Sequence, residues 1–229
     1  MLYVPPSLFR FLDRVFGRDT KFSRDLERVT RQHVGKRPHQ TILDVGCGEG
    51  RHTVFFSGEG NAVHGLDVGD YRLPQFSSFH FRLYDGITFP YPDNTFDCVA
   101  SFEVLEHVED DTRMVQEMRR VLKPDGRIFL GTPNRMRIGN VTRNGFGLWP
   151  IRYPLFLEHH AVLGEIIHVR EYTAPELANL FTTRGFEAVT VRPFWLGFRL
   201  SGLERLSVSS PGILGRYGHY LILTASKPS

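Results

Sequence analysis

A glycine-rich segment begins where an apolar, strand-like run ends. Residues 41–45 are followed at once by Gly46, Gly48 and Gly50. Glycines at a turn between a strand and a helix let the backbone approach a ligand closely. The spacing departs from the dinucleotide fingerprint G-x-G-x-x-G, because the third glycine comes one place early and Arg51 occupies its position. The segment therefore indicates a bound small molecule and disfavours a nicotinamide oxidoreductase or epimerase.

Three acidic residues accompany this segment. Asp44 precedes the glycines, where a carboxylate would repel a pyrophosphate and suit a cationic ligand. Asp67 lies roughly 20 residues after Gly46, at the end of a second apolar run, where an acid can hydrogen-bond both ribose hydroxyls. Asp85 ends a third run and can accept a hydrogen bond from an adenine amine. Together they indicate an adenosine that carries a positive, phosphate-free tail.

Strand-like and helix-like runs alternate along the chain, which predicts a parallel α/β sheet with helices on both faces. Two amphipathic helices are predicted in the first forty residues, one after Ser7 and one carrying Phe22, Leu26, Val29 and His33 on one face. A further helix is predicted at 111–122, and a capping box at Thr173 starts the last one. The predicted strands cover 41–45, 62–66, 79–84, 98–102, 127–131, 186–191 and 219–225.

An ordered set of segments resembles the class I S-adenosylmethionine-dependent methyltransferases, in the group that acts on small molecules. The segments are DVGCGEG (44–50), GLD (65–67), YDG (84–86), FPYPDNTFDCVASFEVLEHV (89–108), RRVLKPDGRIFLGTPN (119–134) and HVREYTAPEL (168–177). The resemblance implies a Rossmann-like, doubly wound sheet of seven strands, mostly parallel with an antiparallel last strand. We expect a single domain over 1–229, with a helical cap (1–40), a cofactor-binding half (41–132) and substrate-side insertions (133–172 and 193–218).

The resemblance also implies a cofactor, S-adenosyl-L-methionine, and a product, S-adenosyl-L-homocysteine. Asp44 precedes the cofactor loop. The other implied contacts are Gly46, Cys47 and Gly48 along the methionine, Asp67 at the ribose, Val68, Asp85 and Gly86 at the adenine, and Phe102 beside the cofactor. Cys47 is interpreted as a small packed residue rather than a nucleophile, because the sequence places no base beside it.

Two histidines are candidates for a general base on the acceptor side. His107 follows the fourth strand at the carboxyl edge of the sheet, where α/β proteins bind ligands. His168 lies just before the last predicted helix. A hydroxyl acceptor would need a base that works near neutral pH, and histidine suits that task. A purely structural role for either residue is the alternative, and the sequence leaves it open.

The two predicted insertions exceed the ~2–6 residues usual for loops of this architecture. Residues 134–152 contain four arginines and no acid, with aromatic residues interleaved. Aromatic and basic groups suit an acceptor with an apolar part and an anionic part. We predict a small-molecule or lipid-like acceptor in contact with Arg135, Arg170 and Tyr172. The alternatives are peripheral contact with an anionic membrane through these segments, or their mutual burial as a satellite core.

No metal site is predicted, because Glu158, His159, His160, Glu165 and His168 match no standard zinc spacing. The 229 residues carry a net charge of +3, which is too small to indicate nucleic acid. Two cysteines cannot form a disulfide framework, and the first residues do not read as a signal peptide, so we expect a cytoplasmic protein. Aromatic residues make up 13% of the chain, and an acceptor cavity would account for part of them.

Two further functions stay open at this point. One is a non-catalytic cofactor-binding or partner subunit of the same fold. The other is RNA or protein methylation, which is disfavoured because no appended RNA-binding module is evident. The amine-positioning motif Asn/Asp-Pro-Pro-aromatic is also missing after the fourth strand, where the sequence reads FEVL (102–105). The sequence does not predict the oligomeric state.

Overall fold

A computed structural model describes residues 21–34, 37–58, 60–138, 140, 168–196, 208 and 212–229. Its helices are α1 (Lys21–Val34), α2 (Asp111–Val121) and α3 (Ala174–Thr182), with short 3-10 turns at Thr53–Phe56, Pro74–Phe76 and Gly212–Tyr217. Its strands are β1 (Thr41–Val45), β2 (Ala62–Asp67), β3 (His80–Leu83), β4 (Phe96–Phe102), β5 (Leu122–Pro133), β6 (Glu187–Phe194) and β7 (Tyr220–Ser226).

The seven strands form one sheet in the order β3-β2-β1-β4-β5-β7-β6. The first five strands are parallel, and β7 is antiparallel to both β5 and β6. The predicted fold class, including the antiparallel last strand, is confirmed. Asp44 pairs with Gly65 on one side and Ala100 on the other, so the loops after β1, β2 and β4 leave the sheet at one level. The carboxyl ends of these strands therefore meet at one edge, as parallel strands require.

Alternate strand residues face opposite layers, because successive side chains of a strand point to opposite faces. Ile42 and Phe129 belong to the core beneath α1. Their neighbours Leu43 and Leu130 belong to the core beneath α2 and α3. Helices thus cover both faces of the sheet, as predicted, and the strands that position the carboxyl edge are buried on both sides.

Helix α1 packs through residues spaced four apart: Phe22, Leu26, Thr30 and Val34. The predicted face was right for Phe22 and Leu26 but wrong for His33, which is exposed because Val34 takes the buried position of the last turn. The predicted helix after Ser7 lies outside the described residues.

The start of β5 differs from the prediction. The strand begins at Leu122, which pairs with Phe96, and the next pair along β4 is Cys98 with Arg127. Residues 123–126, predicted as a turn, therefore bulge out within the strand, and Asp125 adopts a φ of 59°. The reason is local, since a lysine-proline-aspartate-glycine stretch forms a tight turn even where the flanking residues continue the ladder.

Both helices on the second layer begin with a side-chain cap. Asp110 accepts a hydrogen bond from the Arg113 N–H at the start of α2. The predicted capping box of Thr173 and Glu176 is present at the start of α3. None of the helices in the described part of the chain combines the length and apolar character that a membrane crossing requires. Most of the two predicted insertions lies outside the described residues.

Candidate functional site

The glycine loop after β1 is fixed by backbone hydrogen bonds and close packing. The Gly46 N–H donates to the Leu66 carbonyl of β2 over 2.7 Å. Gly46 has a φ of +73°, and a Cβ atom there would lie 2.1 Å from Val104 Cγ2. Only glycine meets both conditions, because other residues are strained at this φ and no real Cβ contact is so short. The loop is therefore clamped between the end of β2 and the segment that follows β4.

Asp67 joins the glycine loop to the end of β2. Its carboxylate accepts hydrogen bonds from the Gly48 N–H and the Val68 N–H, each over 2.7 Å. Asp67 lies at the carboxyl edge of the sheet and is only 9% exposed. A carboxylate has about four acceptor positions, so an acid at this point is of a type that can accept hydrogen bonds from hydroxyl groups. Three of the residues predicted from the sequence thus lie together.

Asp44 forms a buried acidic floor under the loop. The residue is 1% exposed, and the Thr53 hydroxyl donates to its carboxyl group over 2.6 Å. Burial raises the pKa of Asp44 to about 7, although the Thr53 hydrogen bond opposes the rise and the charge of Asp67 adds to it. Two carboxyl groups under one backbone loop favour the binding of a cation and disfavour that of a phosphate.

An exposed apolar patch lies around the ends of β2 and β3. Val68 is 48% exposed and Ile87 is 59% exposed, which is unusual for large aliphatic side chains beside a buried edge. A Cβ atom at Gly86 would lie 3.6 Å from Val68 Cγ1, so these two predicted residues are neighbours. Asp85 borders the patch and accepts hydrogen bonds from the Ile87 and Thr88 N–H groups, which lower its pKa. A flat ring could therefore pack on the apolar surface of this patch, with Asp85 at its border.

His52 is a residue of this edge that the sequence analysis missed. Its ring centroid lies 5.1 Å from that of Phe102, which is buried at the end of β4. Burial, with a smaller effect from Arg51, lowers the pKa of His52 to about 4, so the ring is neutral at pH 7. Burial likewise raises the pKa of the Cys47 thiol, which agrees with its interpretation as a packed residue. A histidine directly after a glycine loop was the signal available.

The structure brings His107 and His168 together beside the loop after β4. Their ring centroids lie 5.0 Å apart in an edge-to-face arrangement. The Glu106 carbonyl accepts hydrogen bonds from the Val169 and Arg170 N–H groups, which hold the segment before α3 against the loop after β4. The predicted catalytic pair is thus a cluster in space, although the two histidines are far apart in the sequence.

The orientation of His168 is fixed by a buried carboxylate. His168 Nδ1 lies 2.9 Å from Glu171 Oε1, and the Glu171 side chain is 1% exposed. Arg137 binds both oxygens of Glu171 over 2.7 Å, and Asn140 donates to Oε2. Burial raises the pKa of Glu171, but the hydrogen bonds from His168 and Arg137 outweigh it and the net shift is downward. An ionised carboxylate only accepts hydrogen bonds, so Nδ1 of His168 carries a proton.

Arg135, Arg170 and Tyr172, the predicted acceptor contacts, line one cleft of about 330 Å³ between α2 and α3. Their polar ends already have partners in this structure. Arg170 and the Tyr172 hydroxyl both bind Asp111, over 2.6 and 2.9 Å, and Arg135 pairs with Glu176. Contact with an acceptor stays a prediction for these three residues. The cluster of acidic and histidine residues between 158 and 165 lies outside the described part of the chain.

The chain is similar to known methyltransferases in sequence and fold. Residues 43–130 match the family model of a methyltransferase domain. The demethylmenaquinone methyltransferase of Bacillus cereus is 32% identical over 193 residues, which cover 74% of this chain and 79% of that protein. A probable S-adenosylmethionine-dependent methyltransferase of Mycolicibacterium smegmatis is 30% identical over 173 residues, 71% of this chain. The chain spans 58% of the length of that relative.

A solved methyltransferase structure has the same fold. The S-adenosylmethionine-dependent methyltransferase of Thermotoga maritima superposes with a TM-score of 0.65 and 18% sequence identity, over 96% of this chain and 95% of that one. At this identity the likeness concerns the fold alone. The sequence relatives carry the family assignment.

Proposed function

Because this chain belongs to the family of S-adenosylmethionine-dependent methyltransferases, we propose that it transfers a methyl group to a small-molecule or lipid-like acceptor. The observation that carries the proposal is the position of Asp67. Its carboxylate lies at the carboxyl edge of the sheet and is hydrogen-bonded to the glycine loop on one side and to Val68 on the other. An acid at this point of a doubly wound sheet can hold a ribose between the two parts of a nucleoside ligand.

The residues at the edge fit this cofactor chemically. A Cβ atom at Gly48 would meet nothing within 4 Å, so the loop presents open backbone to a ligand. The carboxyl groups of Asp44 and Asp67 lie beneath it and favour a positive charge. When bound, S-adenosylmethionine supplies an electrophilic methyl group on a sulfonium centre. The methionine part would contact Gly46, Cys47 and Gly48, and the ribose would contact Asp67. The adenine would contact Val68, Asp85 and Gly86, and Phe102 would lie beside the cofactor.

The residues on the other side of the edge would act on the acceptor. Val104, which packs against Gly46, belongs to the same loop as His107, so this histidine lies next to the cofactor loop. Because Glu171 holds Nδ1, a neutral His168 ring would offer Nε2 as the proton acceptor. Either ring can take a proton from an acceptor hydroxyl, and the fixed orientation of His168 reduces the entropy that this step would cost.

The relatives support a ring-bearing, partly apolar acceptor. The Bacillus cereus relative is named as a demethylmenaquinone methyltransferase. A quinone-like or other lipid-like ring agrees with the arginine and aromatic residues of the two predicted insertions. We therefore propose an acceptor of this class, which would be tested with a panel of prenylated and short-chain phenols and quinols.

The test begins with binding and ends with turnover. Isothermal titration should show S-adenosylhomocysteine binding at a single site and no binding of NADH. Replacing Asp67 by Asn should weaken that binding about 10- to 100-fold, because hydrogen bonds to a charged group contribute about 1.5–3 kcal/mol. The matched control is Asp70→Asn, which removes the same charge from an exposed residue three positions away. Equal affinity of both variants, or a preference for NADH, would refute the cofactor assignment.

Methyl transfer itself is measured with isotopically labelled S-adenosylmethionine and the phenol and quinol panel. Incorporation of label into one of these compounds, lost in Asp67→Asn and retained in Asp70→Asn, is the expected result. Cofactor binding without incorporation into any small molecule, but with label in RNA or protein from an extract, would contradict the acceptor class.

A further inference from the structure

Three potential metal ligands converge at the loop after β4. Glu106, His107 and His168 each offer one ligand atom, and these atoms all lie within 4.8 Å of one another. Atoms bound to one ion at about 2.0–2.2 Å lie roughly 3–4 Å apart, so small side-chain rotations would bring all three to a common ion. Two imidazoles with a carboxylate are a ligand set typical of first-row transition ions.

Glu106 has an unsatisfied oxygen in this cluster. The residue is fully buried, and its Oε2 accepts a hydrogen bond from the Thr132 hydroxyl over 2.9 Å. Its Oε1 is buried without any hydrogen-bond partner among the described residues. The Glu103 carboxyl group lies close to that of Glu106. An orphaned carboxyl oxygen next to a second carboxyl group is an arrangement that a cation would satisfy.

A second observation, independent of the ligands themselves, comes from the residues behind His168. Metal-bound histidines commonly donate their other ring N–H to a carboxylate, which fixes the ring and raises its basicity. Glu171 makes this contact with Nδ1 over 2.9 Å, and Arg137 and Asn140 hold Glu171 in turn. Three residues thus hold the ring of His168 through Nδ1, which leaves Nε2 as its ligand atom. A histidine that only capped a loop would need none of this support.

We propose that Glu106, His107 and His168 bind a divalent metal ion of the first transition series, with Glu171 as the positioning residue for His168. The sequence analysis predicts no metal, because it considers only the residues between 158 and 168. Glu106 and His107 lie some 60 residues earlier in the chain and reach His168 only through the fold. Three protein ligands leave at least one coordination position for a further oxygen atom.

The place of the ion narrows the acceptor class. It would lie on the loop after β4, whose Val104 packs against Gly46. This part of the inference rests on the proposed function. An ion there would occupy the imidazole nitrogens that could otherwise act as a general base. It would instead bind an oxygen atom of the acceptor and lower the pKa of that hydroxyl group, so that the proton passes to solvent. Acceptors that offer a phenolic or enolic oxygen are then favoured over amines.

The metal site is tested without the cofactor or the acceptor. The full chain is stripped with a chelator and titrated calorimetrically with MnCl2 and, separately, with ZnCl2. We expect one ion per chain for at least one of these metals. His107→Gln and His168→Gln, which change half-buried residues, should each weaken binding at least about tenfold. Glu106→Gln should do the same, but its burial makes the two histidine variants the primary test.

Matched controls separate ligation from general changes of charge. Glu109→Gln removes a carboxylate from the same loop, and His80→Gln removes an exposed imidazole from β3. Both should bind the metal within about twofold of the native chain, because neither belongs to the cluster. Glu171→Gln should weaken binding about 10- to 100-fold and shift the visible spectrum of bound Co2+, a change that a merely structural role would not produce.

Two results would overturn the site: no metal binding by the native chain, or binding that the histidine variants leave unchanged. Titration with S-adenosylhomocysteine in the presence of chelator keeps this failure apart from failure of the proposed function. A chain that binds S-adenosylhomocysteine but no metal refutes only the metal site. A chain that binds metal but no S-adenosylhomocysteine refutes only the methyl-transfer proposal.

Discussion

The two sides of the carboxyl edge are built by different means. On the cofactor side, at the ends of β1, β2 and β3, the contacts are short in sequence: Asp67 and Gly48 are 19 residues apart, and Asp44 and Thr53 are nine apart. On the acceptor side, at the loop after β4, the contacts are long: Arg137 and Glu171 are 34 residues apart. The cofactor side uses backbone groups and glycines, whereas the acceptor side uses ion pairs between side chains.

This difference means that the two sides can vary separately. A loop held by its own backbone, by the neighbouring strand and by Val104 keeps its shape as long as Val104 is kept, whichever residues follow farther along the loop after β4. An acceptor side assembled from distant segments can change its shape and charge when a few side chains are replaced, because each partner comes from a different part of the chain. Such a division suits a fold that keeps one cofactor and serves many acceptors.

The largest expected effect is that of Gly46→Ala on the cofactor side. The residue has a φ of +73°, and the added Cβ would lie 2.1 Å from Val104 Cγ2. Left-handed strain and overpacking together should lower the free energy of unfolding by about 2–4 kcal/mol and weaken S-adenosylhomocysteine binding more than about tenfold. Urea denaturation and isothermal titration measure the two effects.

Gly48→Ala is the matched control for this prediction. Its φ is +48°, but a Cβ atom there meets nothing within 4 Å, so only the strain of about 1–2 kcal/mol applies. If both variants lose the same free energy of unfolding, the clamp between Gly46 and Val104 does not stabilise the loop.

Arg137→Gln should destabilise the acceptor side without changing the affinity of the cofactor side for its ligand. It removes both charged hydrogen bonds from Glu171, whose side chain is 1% exposed, while Arg137 itself is 25% exposed. Breaking a buried pair costs about 3–5 kcal/mol, and partial solvent access reduces this to about 2–3 kcal/mol. S-adenosylhomocysteine affinity should stay within about twofold of the native value, because no cofactor-side residue contacts this pair.

The control for Arg137→Gln is Arg31→Gln. Arg31 pairs with Glu27 on the exposed face of α1, with 52% and 34% of the two side chains exposed. Such a pair contributes less than about 1 kcal/mol. A large loss of cofactor affinity in Arg137→Gln alone would show that the two sides are coupled, contrary to the comparison.

The same contrast explains what the sequence could predict. The alternation of strands and helices and the two helix layers follow from local patterns, whereas the antiparallel last strand was implied by the family resemblance. The predicted cofactor-side residues also rest on local features, such as the glycine loop and the acid at the end of a strand. His107 and His168 were identified one by one, but Glu106 and Glu171 were not. Their roles depend on burial and on partners from distant segments, and a single sequence gives no sign of either. The glutamate next to His107 in an apolar stretch was the one available signal.

The smallest of these effects concerns the charge state of the cofactor side. Burial lowers the pKa of His52 to about 4 in the folded chain, while a histidine in the unfolded chain has its ordinary pKa of 6.5. As the pH falls below 6.5, His52 binds a proton in the unfolded state but not in the folded state. The free energy of unfolding therefore decreases until the pH reaches about 4. Between pH 7.5 and pH 5 this one group should cost about 2 kcal/mol.

His52→Gln should therefore lose about 2 kcal/mol less stability than the native chain between pH 7.5 and pH 5, measured by urea denaturation at both values. His33→Gln, which removes an exposed imidazole, should lose as much as the native chain. Equal losses in all three proteins would mean that the ring of His52 reaches water. A buried, neutral His52 ring would then not be part of the cofactor side. A loss confined to the native chain and His33→Gln would instead place the neutral ring against Phe102, where it can exclude water from the side of the loop that holds the cofactor.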